Sequence, residues 1–496
     1  MKNIKNLVIG LLIVTGFSAC SSDYLDTEDH EYLDSDAAGV AAGHNPDVFL
    51  NGMWSFMVDM YSSSHDSFNY MASLLAMDMM GEDIVMAGST YFIYDYQHDN
   101  RMWDYRRVNV YWSTFYTLIS KANEIISLYP NGATTDGEKA LLGQAKAIRG
   151  YSYSCLIQLF RNYMNADGTI NMEQKGLPIL LTEADGLSSS ELEALKGVNT
   201  VKAVFEQARK DLEEGAQLLE KANYERANKD YIDANVANGL LARFYLTAQM
   251  WDKAAQAANK ARNGYQPMDK DELMDGFYNI KNNEWMWGFD HSTETSTVYA
   301  SYFSMISNLA PGYAGLGYAP KLIDARLYSK IPADDYRKSH FNGPEGDPTQ
   351  PTAAAQRPYA NVKFGNDGNW TMDYVYMRAA EMYLIEAEAL VRQGDKAKAA
   401  TVLGELMANR QPSWEKKSVT LNDILLQRRI ELWGEGFAFF DLKRTNRGFV
   451  RNYEGTNHVA GAYTFDLEPQ DPAWTYQIPD AEIQENTHIS NKDQND

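Results

Sequence analysis

Cysteine is almost absent: the chain has two, Cys20 and Cys155, in 496 residues. This excludes a disulfide scaffold and any metal site built from several thiolates. Positive charge is also scarce, with 45 Lys and Arg against 67 Asp and Glu, a net −22 at pH 7. So acidic a surface repels phosphate backbones, and no nucleic-acid partner is expected. The eight histidines are scattered, none in a His-Glu-x-x-His arrangement, and no glycine-rich phosphate cradle occurs. No cofactor and no metal are therefore expected. Long hydrophobic runs are missing too: no segment reaches the ~18 apolar residues of a membrane-crossing helix. Aromatic residues are plentiful: Trp 10, Tyr 32 and Phe 19 make up 12% of the chain. An apolar fraction of 45% with 23% charged residues is that of an ordinary folded protein. The length suits two domains or one large helical assembly.

The first twenty residues read as an address. Lys2 and Lys5 precede the short apolar run Leu7–Val14, and Ser18-Ala19 lead into Cys20. This is the layout of a bacterial lipoprotein signal, with Phe17 where Leu is commoner, so residues 1–19 are expected to be removed and Cys20 lipidated. Cleavage removes two lysines and no acids, and 43 − 67 gives −24 for the mature chain. Residues 20–36, with Asp23, Asp26, Glu28, Asp29, Glu31, Asp34 and Asp36, then read as a solvated acidic tether. Lipid at Cys20 is the one membrane attachment expected.

Further along, apolar residues recur at helical spacing. Phe115, Leu118, Ile119, Ala122, Ile125 and Ile126 predict a helix over 112–129, and a partner is expected over 138–160. Further helices are expected over 200–221, 233–249 and 252–263. Met377, Ala380, Leu384, Ala387 and Val391 form another stripe, with a partner over 396–410. Asp252-Lys253-Ala254 and Asp395-Lys396-Ala397 open two look-alike helices. Stacked hairpins of this kind have the physical content of a tetratricopeptide-like repeat.

Two long stretches lack helical periodicity and are rich in rings. Residues 81–111 carry Tyr91, Phe92, Tyr94, Tyr96, Trp103 and Tyr105; residues 264–320 carry Trp285, Trp287, Tyr299, Tyr313 and Tyr318 among others. Long irregular stretches in a compact body tend to be functional. A flat aromatic face matches the axial C–H patch of a sugar ring, and nearby polar groups can hold its hydroxyls. The candidate ligand-binding residues are therefore Tyr96, Asn100, Trp103, Trp285, Trp287, Tyr313 and Tyr318. Trp285 and Trp287, two apart, would share one face of an extended segment. Asn165-Ala166-Asp167-Gly168 contains a fragment of a calcium loop without its first and last ligands, so a plain turn is expected. Cys155 reads as a small buried side chain.

The run ILLQRRIELWGEGFAFFDLKR at 424–444 resembles the signature of the SusD/RagB family of nutrient-binding lipoproteins. Its positions here are Arg428, Glu431, Leu432, Glu435, Gly436, Asp441, Leu442 and Arg444, with Ala438 where the family usually has Arg. Ala122-Asn123, Ala147–Tyr151, Gly176-Leu177-Pro178, Arg378–Leu384 and the closing Tyr476-Gln477-Ile478-Pro479 resemble further family segments. The resemblance implies a mainly α fold, a right-handed superhelix of tetratricopeptide-like hairpins with irregular ligand-binding insertions. It divides the body into an N-terminal part, 37–230, and a C-terminal part, 231–496, in one compact unit. It further implies a surface-exposed outer-membrane protein that captures oligosaccharide, without chemistry of its own, for a SusC-like TonB-dependent transporter. The same resemblance adds Asp83 to the candidate ligand-binding residues, as a polar contact. The alternatives are a peptide-collecting member of the family and a lipid-anchored glycoside hydrolase. The signature acids and arginines themselves are expected to fix the helix by ion pairs, not to act on a ligand.

Overall fold

Helices laid against their neighbours in sequence form the main regular structure of the described residues. A computed structural model describes residues 47–59, 64–461 and 463–495. The signal segment, Cys20 and the acidic tether lie outside the described residues. Residues 49–496 form one compact unit. Its longer helices begin with α1 (Asp47–Val58), α2 (Asn69–Met79), α3 (Arg106–Ser127), α4 (Asp136–Phe160) and α5 (Val201–Lys221). They continue with α6 (Ala234–Thr247), α7 (Trp251–Ala261), α8 (Ala379–Arg392), α9 (Lys396–Met407), α10 (Leu421–Glu431) and α11 (Ala438–Arg444). The fold is mainly helical, as the periodicity predicts.

Each long helix buries one stripe. On α3 the buried face is Val108, Tyr111, Trp112, Phe115, Leu118, Ile119, Ala122, Ile125 and Ile126. This is the i, i+3, i+4 pattern of an amphipathic helix, each large apolar side chain contributing about 1.5–3 kcal/mol. Thr135 caps α4, accepting from the Glu138 amide while the Glu138 carboxylate accepts from the Thr135 amide. Helix α4 packs along both α3 and α5, and the α4–α5 contact is close because two glycines face each other. A Cβ on Gly143 would stand 2.8 Å from Leu219 Cγ, and one on Gly215 2.7 Å from the Gly143 carbonyl oxygen. The pairs α6–α7 and α8–α9 follow, and α7 packs on α8. The two look-alike openings differ in detail. Asp395 is a true N-cap, accepting from the Lys398 amide at 3.0 Å, whereas Asp252 lies inside the first turn of a helix that begins at Trp251.

Short strands intrude where helix is expected to continue. Met377 belongs not to the helical stripe but to the strand Tyr374–Arg378, which ends where α8 begins. Four strands matter here: β1 (Ile84–Met86), β2 (Trp285–Phe289), β3 (Lys321–Ile323) and β4 (Tyr374–Arg378). β1 pairs antiparallel with β3 and β2 with β4, the latter with register shifts around Trp287. Asn165–Gly168 is a plain turn stapled by the Asp167 side chain to Thr169. Cys155 is buried on α4, and burial pushes its thiol up to about 12. Among the described residues no helix is long and apolar enough to cross a membrane.

Candidate functional site

The β1–β3 ladder brings together the ends of the two ring-rich stretches. Its register pairs Ile84 with Ile323 and Met86 with Lys321. The chain leaving β1 therefore runs beside the chain entering β3, and the Ala87 amide donates to the Pro320 carbonyl at 2.9 Å. Gly88 then passes so close to Tyr318 that a Cβ would lie 2.1 Å from the Tyr318 carbonyl oxygen. Only glycine permits that approach.

Beyond the crossing, rings from both stretches meet at the surface. Tyr91 and Tyr313 stand 5.1 Å apart at 75°; Tyr299 lies 5.8 Å and Tyr318 6.1 Å from Tyr313. His65 lies parallel to Tyr299 at 6.2 Å, and its Nδ1 is 2.9 Å from the Tyr313 hydroxyl. The fan is held from below, since Ser304 Oγ accepts from the Tyr313 amide and the Ser304 carbonyl from the Ala314 amide. Tyr318 is 63% exposed and Tyr299 is also open to solvent. Burial and the neighbouring tyrosines push the Tyr313 hydroxyl up to about 12, so it remains a neutral hydrogen-bonding group.

A cleft of about 590 Å³ adjoins the fan at Tyr91. Tyr94 and Tyr105 stand exposed on it, and Ser89, Thr90 and Asn100 supply neutral polar groups. At its base Asp66 accepts from Arg106 at 2.7 and 2.9 Å and from Arg107 at 2.8 Å. Arg107 also donates to Asp95 at 2.8 Å and lies over the Phe92 ring. Although burial alone would raise the Asp66 carboxyl, Arg107 and its other partners outweigh it and hold it below its ordinary value. Phe92 carries φ = 67°, a costly conformation for a bulky residue and one that concentrates at ligand-binding segments. A pocket of this size with aromatic walls and a few polar groups suits a small-molecule ligand.

The candidate residues divide accordingly. Tyr313 and Tyr318 lie in the fan, and Asn100 lines the cleft, where its Nδ2 reaches Asp95 at 3.4 Å. Trp103 is 40% exposed, but its backbone is tied to the C-terminal segment at Gln477 and Asp480. The other four are not displayed. Trp285 and Trp287 are 1% and 0% exposed, because β2 is covered on both faces and Trp54, Tyr70 and Tyr376 pack around Trp287. Tyr96 is buried with its hydroxyl on His458. Asp83 is buried in an ion pair with Arg429, and its carbonyl accepts from Trp433 Nε1. The three aromatic rings are thus part of the interior, and both oxygens of Asp83 are taken by Arg429.

The signature run is likewise turned inward. Glu431 accepts from Arg337 at 2.9 Å, Arg378 at 2.6 Å and Arg410 at 2.9 Å, while Glu435 takes Arg378 and Lys363. Arg378 and Arg410 continue to Glu284, and Arg337 to Asp335. Asp441 accepts from Arg428 and Arg444, and Arg444 grips Glu388 with both terminal nitrogens. A cavity beside this helix measures about 60 Å³, room for a few waters but not a sugar ring. Among the described residues no cluster of His, Cys, Asp or Glu is arranged to hold a metal ion.

His65, Asp66, Arg106 and Arg107 were not legible as site residues. His65 and Asp66 fall before α2, outside both ring-rich stretches. The paired Arg106-Arg107 at the start of α3 were the available signal, since two adjacent cations there require acidic partners.

Comparison with known proteins agrees with this architecture. The SusD family profile matches residues 334–496, and a second, described as starch-binding associating with outer membrane, matches 23–246. The chain is 24% identical over 430 residues to SusD-like protein P2 of Formosa agariphila, spanning 77% of this chain and 79% of that one. A SusD-like carbohydrate binding protein from Bacteroides vulgatus superposes with a TM-score of 0.76 at 26% identity, covering 91% of this chain and 98% of the other. Surface glycan-binding protein A from Bacteroides thetaiotaomicron, solved in complex with laminarihexaose, shares the fold at a TM-score of 0.64 and 16% identity, with 91% and 99% covered. The signature network, the helical architecture and both family profiles converge: this chain belongs to the SusD/RagB family.

Proposed function

We propose that this protein is a lipid-anchored, surface-exposed outer-membrane lipoprotein that captures oligosaccharides and passes them to a SusC-like TonB-dependent transporter. One observation carries the binding reading: Tyr91 and rings more than two hundred residues further along the chain converge on one exposed fan beside an open cleft. Such a surface costs a folded protein solvation and is retained where it meets a ligand. Tilted tyrosine faces offer C–H contacts to sugar rings, and their hydroxyls, with Asn100, Thr90 and the Asp66–Arg106 pair, offer partners to sugar hydroxyls. The names of the B. vulgatus and B. thetaiotaomicron relatives point to carbohydrate. The lipoprotein signal at Cys20 and the description of the second family profile support the location. Handover to a transporter rests on the family resemblance. Asp66 and Asp95, the inner carboxylates of the cleft, are committed to Arg106 and Arg107, which favours binding over hydrolysis.

The test is affinity electrophoresis and calorimetry against a glycan panel, alongside a peptide mixture. Binding to at least one glycan, weakened in Tyr313→Ala, with the glycan left intact, is the expected result. Retention of peptides alone, or reducing-end release abolished by a single Asp or Glu substitution, would replace this reading with one of its two rivals.

A further inference from the structure

The cleft carries charge of both signs. Asp66, Asp95, Asp99, Arg106 and Arg107 line it, three carboxylates against two guanidiniums. Both guanidiniums are already engaged. Arg106 holds both oxygens of Asp66 at 2.7 and 2.9 Å, and buried Arg107 bridges Asp66 and Asp95 at 2.8 Å each. Asp99 is exposed at the rim, and among the described residues no cation pairs with it. The remaining polar groups, Ser89, Thr90, Asn100, Tyr91, Tyr94 and Tyr105, are neutral.

A uronate or sulfate ester entering this cleft would lose part of its hydration, a loss that neutral hydroxyl and amide donors offset less well than an unpaired cation would. Arg106 is 40% exposed, but an anion approaching it would stand beside the Asp66 carboxylate held by its Nη2, and Asp99 repels the incoming charge. The chain's net charge of −22 acts in the same sense at longer range, within a Debye length of about 10 Å at 0.1 M salt. A neutral sugar meets none of this, since a fixed Asp–Arg pair presents an acceptor beside donors, the complement of two vicinal hydroxyls. We propose that the site is selective for uncharged glycans and excludes carboxylated and sulfated ones, with Asp66 and Asp99 as the excluding groups. This rests on the glycan-binding reading above and adds the charge class of the cargo.

The experiment uses the soluble mature chain at pH 8, above the ordinary histidine range. A panel of neutral, uronate-containing and sulfated polysaccharides is screened at 20 and 500 mM NaCl. The bound neutral glycan is then oxidised at C6 to its uronate form and measured again. Expected are binding confined to neutral members, little affected by salt, and an oxidised form at least tenfold weaker at 20 mM NaCl, recovering partly at 500 mM. Asp99→Lys should raise the ratio of oxidised to neutral affinity at least fivefold. A native uronate or sulfated polysaccharide bound more tightly than every neutral one would overturn the selectivity while leaving glycan binding standing. An unchanged ratio in Asp99→Lys would remove Asp99 from the excluding groups and overturn the proposal as stated. Failure to bind any glycan would overturn the underlying function itself.

Discussion

Glu431→Gln tests whether the signature run serves the fold. Four cations, Arg337, Lys363, Arg378 and Arg410, and four carboxylates, Glu284, Asp335, Glu431 and Glu435, form one connected, charge-balanced network. Every member is at most 4% exposed. The Gln side chain keeps the shape of Glu431 but leaves one buried positive charge uncompensated. Breaking a buried pair on one side costs about 3–5 kcal/mol. Unfolding entropy of roughly 2.1 cal/mol/K per residue over about 450 residues makes 1 kcal/mol worth roughly 1 °C, so Tm should fall by about 3–5 °C. Differential scanning calorimetry at pH 7.5 measures this, with glycan binding unchanged below the transition. Burial alone would raise the Glu431 carboxyl, but Arg410, Arg378 and Arg337 outweigh it and hold it well below the usual range. A depressed folded pKa means the stabilisation is present above the unfolded value of about 4.3 and is lost as pH falls through the folded one. The gap between wild type and variant should therefore persist from pH 8 to 5 and close only in stronger acid. Adding Arg410→Met, which restores neutrality, should cost less than the two single changes summed. A variant melting within 1 °C of wild type would refute the structural role of the signature.

Three further outcomes follow from the placement of the rings. Tyr313→Ala and Tyr318→Ala should each weaken glycan binding by about 1–2 kcal/mol, roughly 5- to 30-fold by calorimetry, with Tm nearly unchanged for the exposed Tyr318. Trp287→Ala, which empties a fully buried site among Trp54, Tyr70 and Tyr376, should destabilise by about 3–5 kcal/mol in denaturant titration, whereas Trp103→Ala should stay within about 1 kcal/mol. Gly88→Ala places a methyl against the Tyr318 carbonyl and must part the two segments that carry the fan. It should lower glycan affinity at least threefold in the same titrations, and wild-type affinity would show that the crossing does not position the rings.

Much of the fold could be read without coordinates because helical periodicity is a local property. The stripe of α3 and the opening of α9 at Asp395 are each encoded within a few residues of where they act. The signature was legible only in part. Its mixed acids and arginines imply ion pairing, but apart from Asp441 with Arg444 the partners of its acids are not one turn away. Glu431 and Glu435 are held by Arg337, Lys363, Arg378 and Arg410 from other segments. What a short run cannot encode is which side of it becomes covered. Trp285 and Trp287 do lie in an extended segment, yet β4 beside them and the rings stacked around Trp287 leave no solvent-facing side. Conversely, Tyr91 and Tyr299 carry no local mark that separates them from Tyr96, which ends buried on His458. Their exposure follows from the three-residue ladder between β1 and β3, a contact across more than two hundred residues. Composition and periodicity determined that this chain folds as helical hairpins with aromatic insertions. Long-range strand pairing decided which of those rings reach water, because exposure depends on every element packed around a side chain and not on its neighbours in sequence.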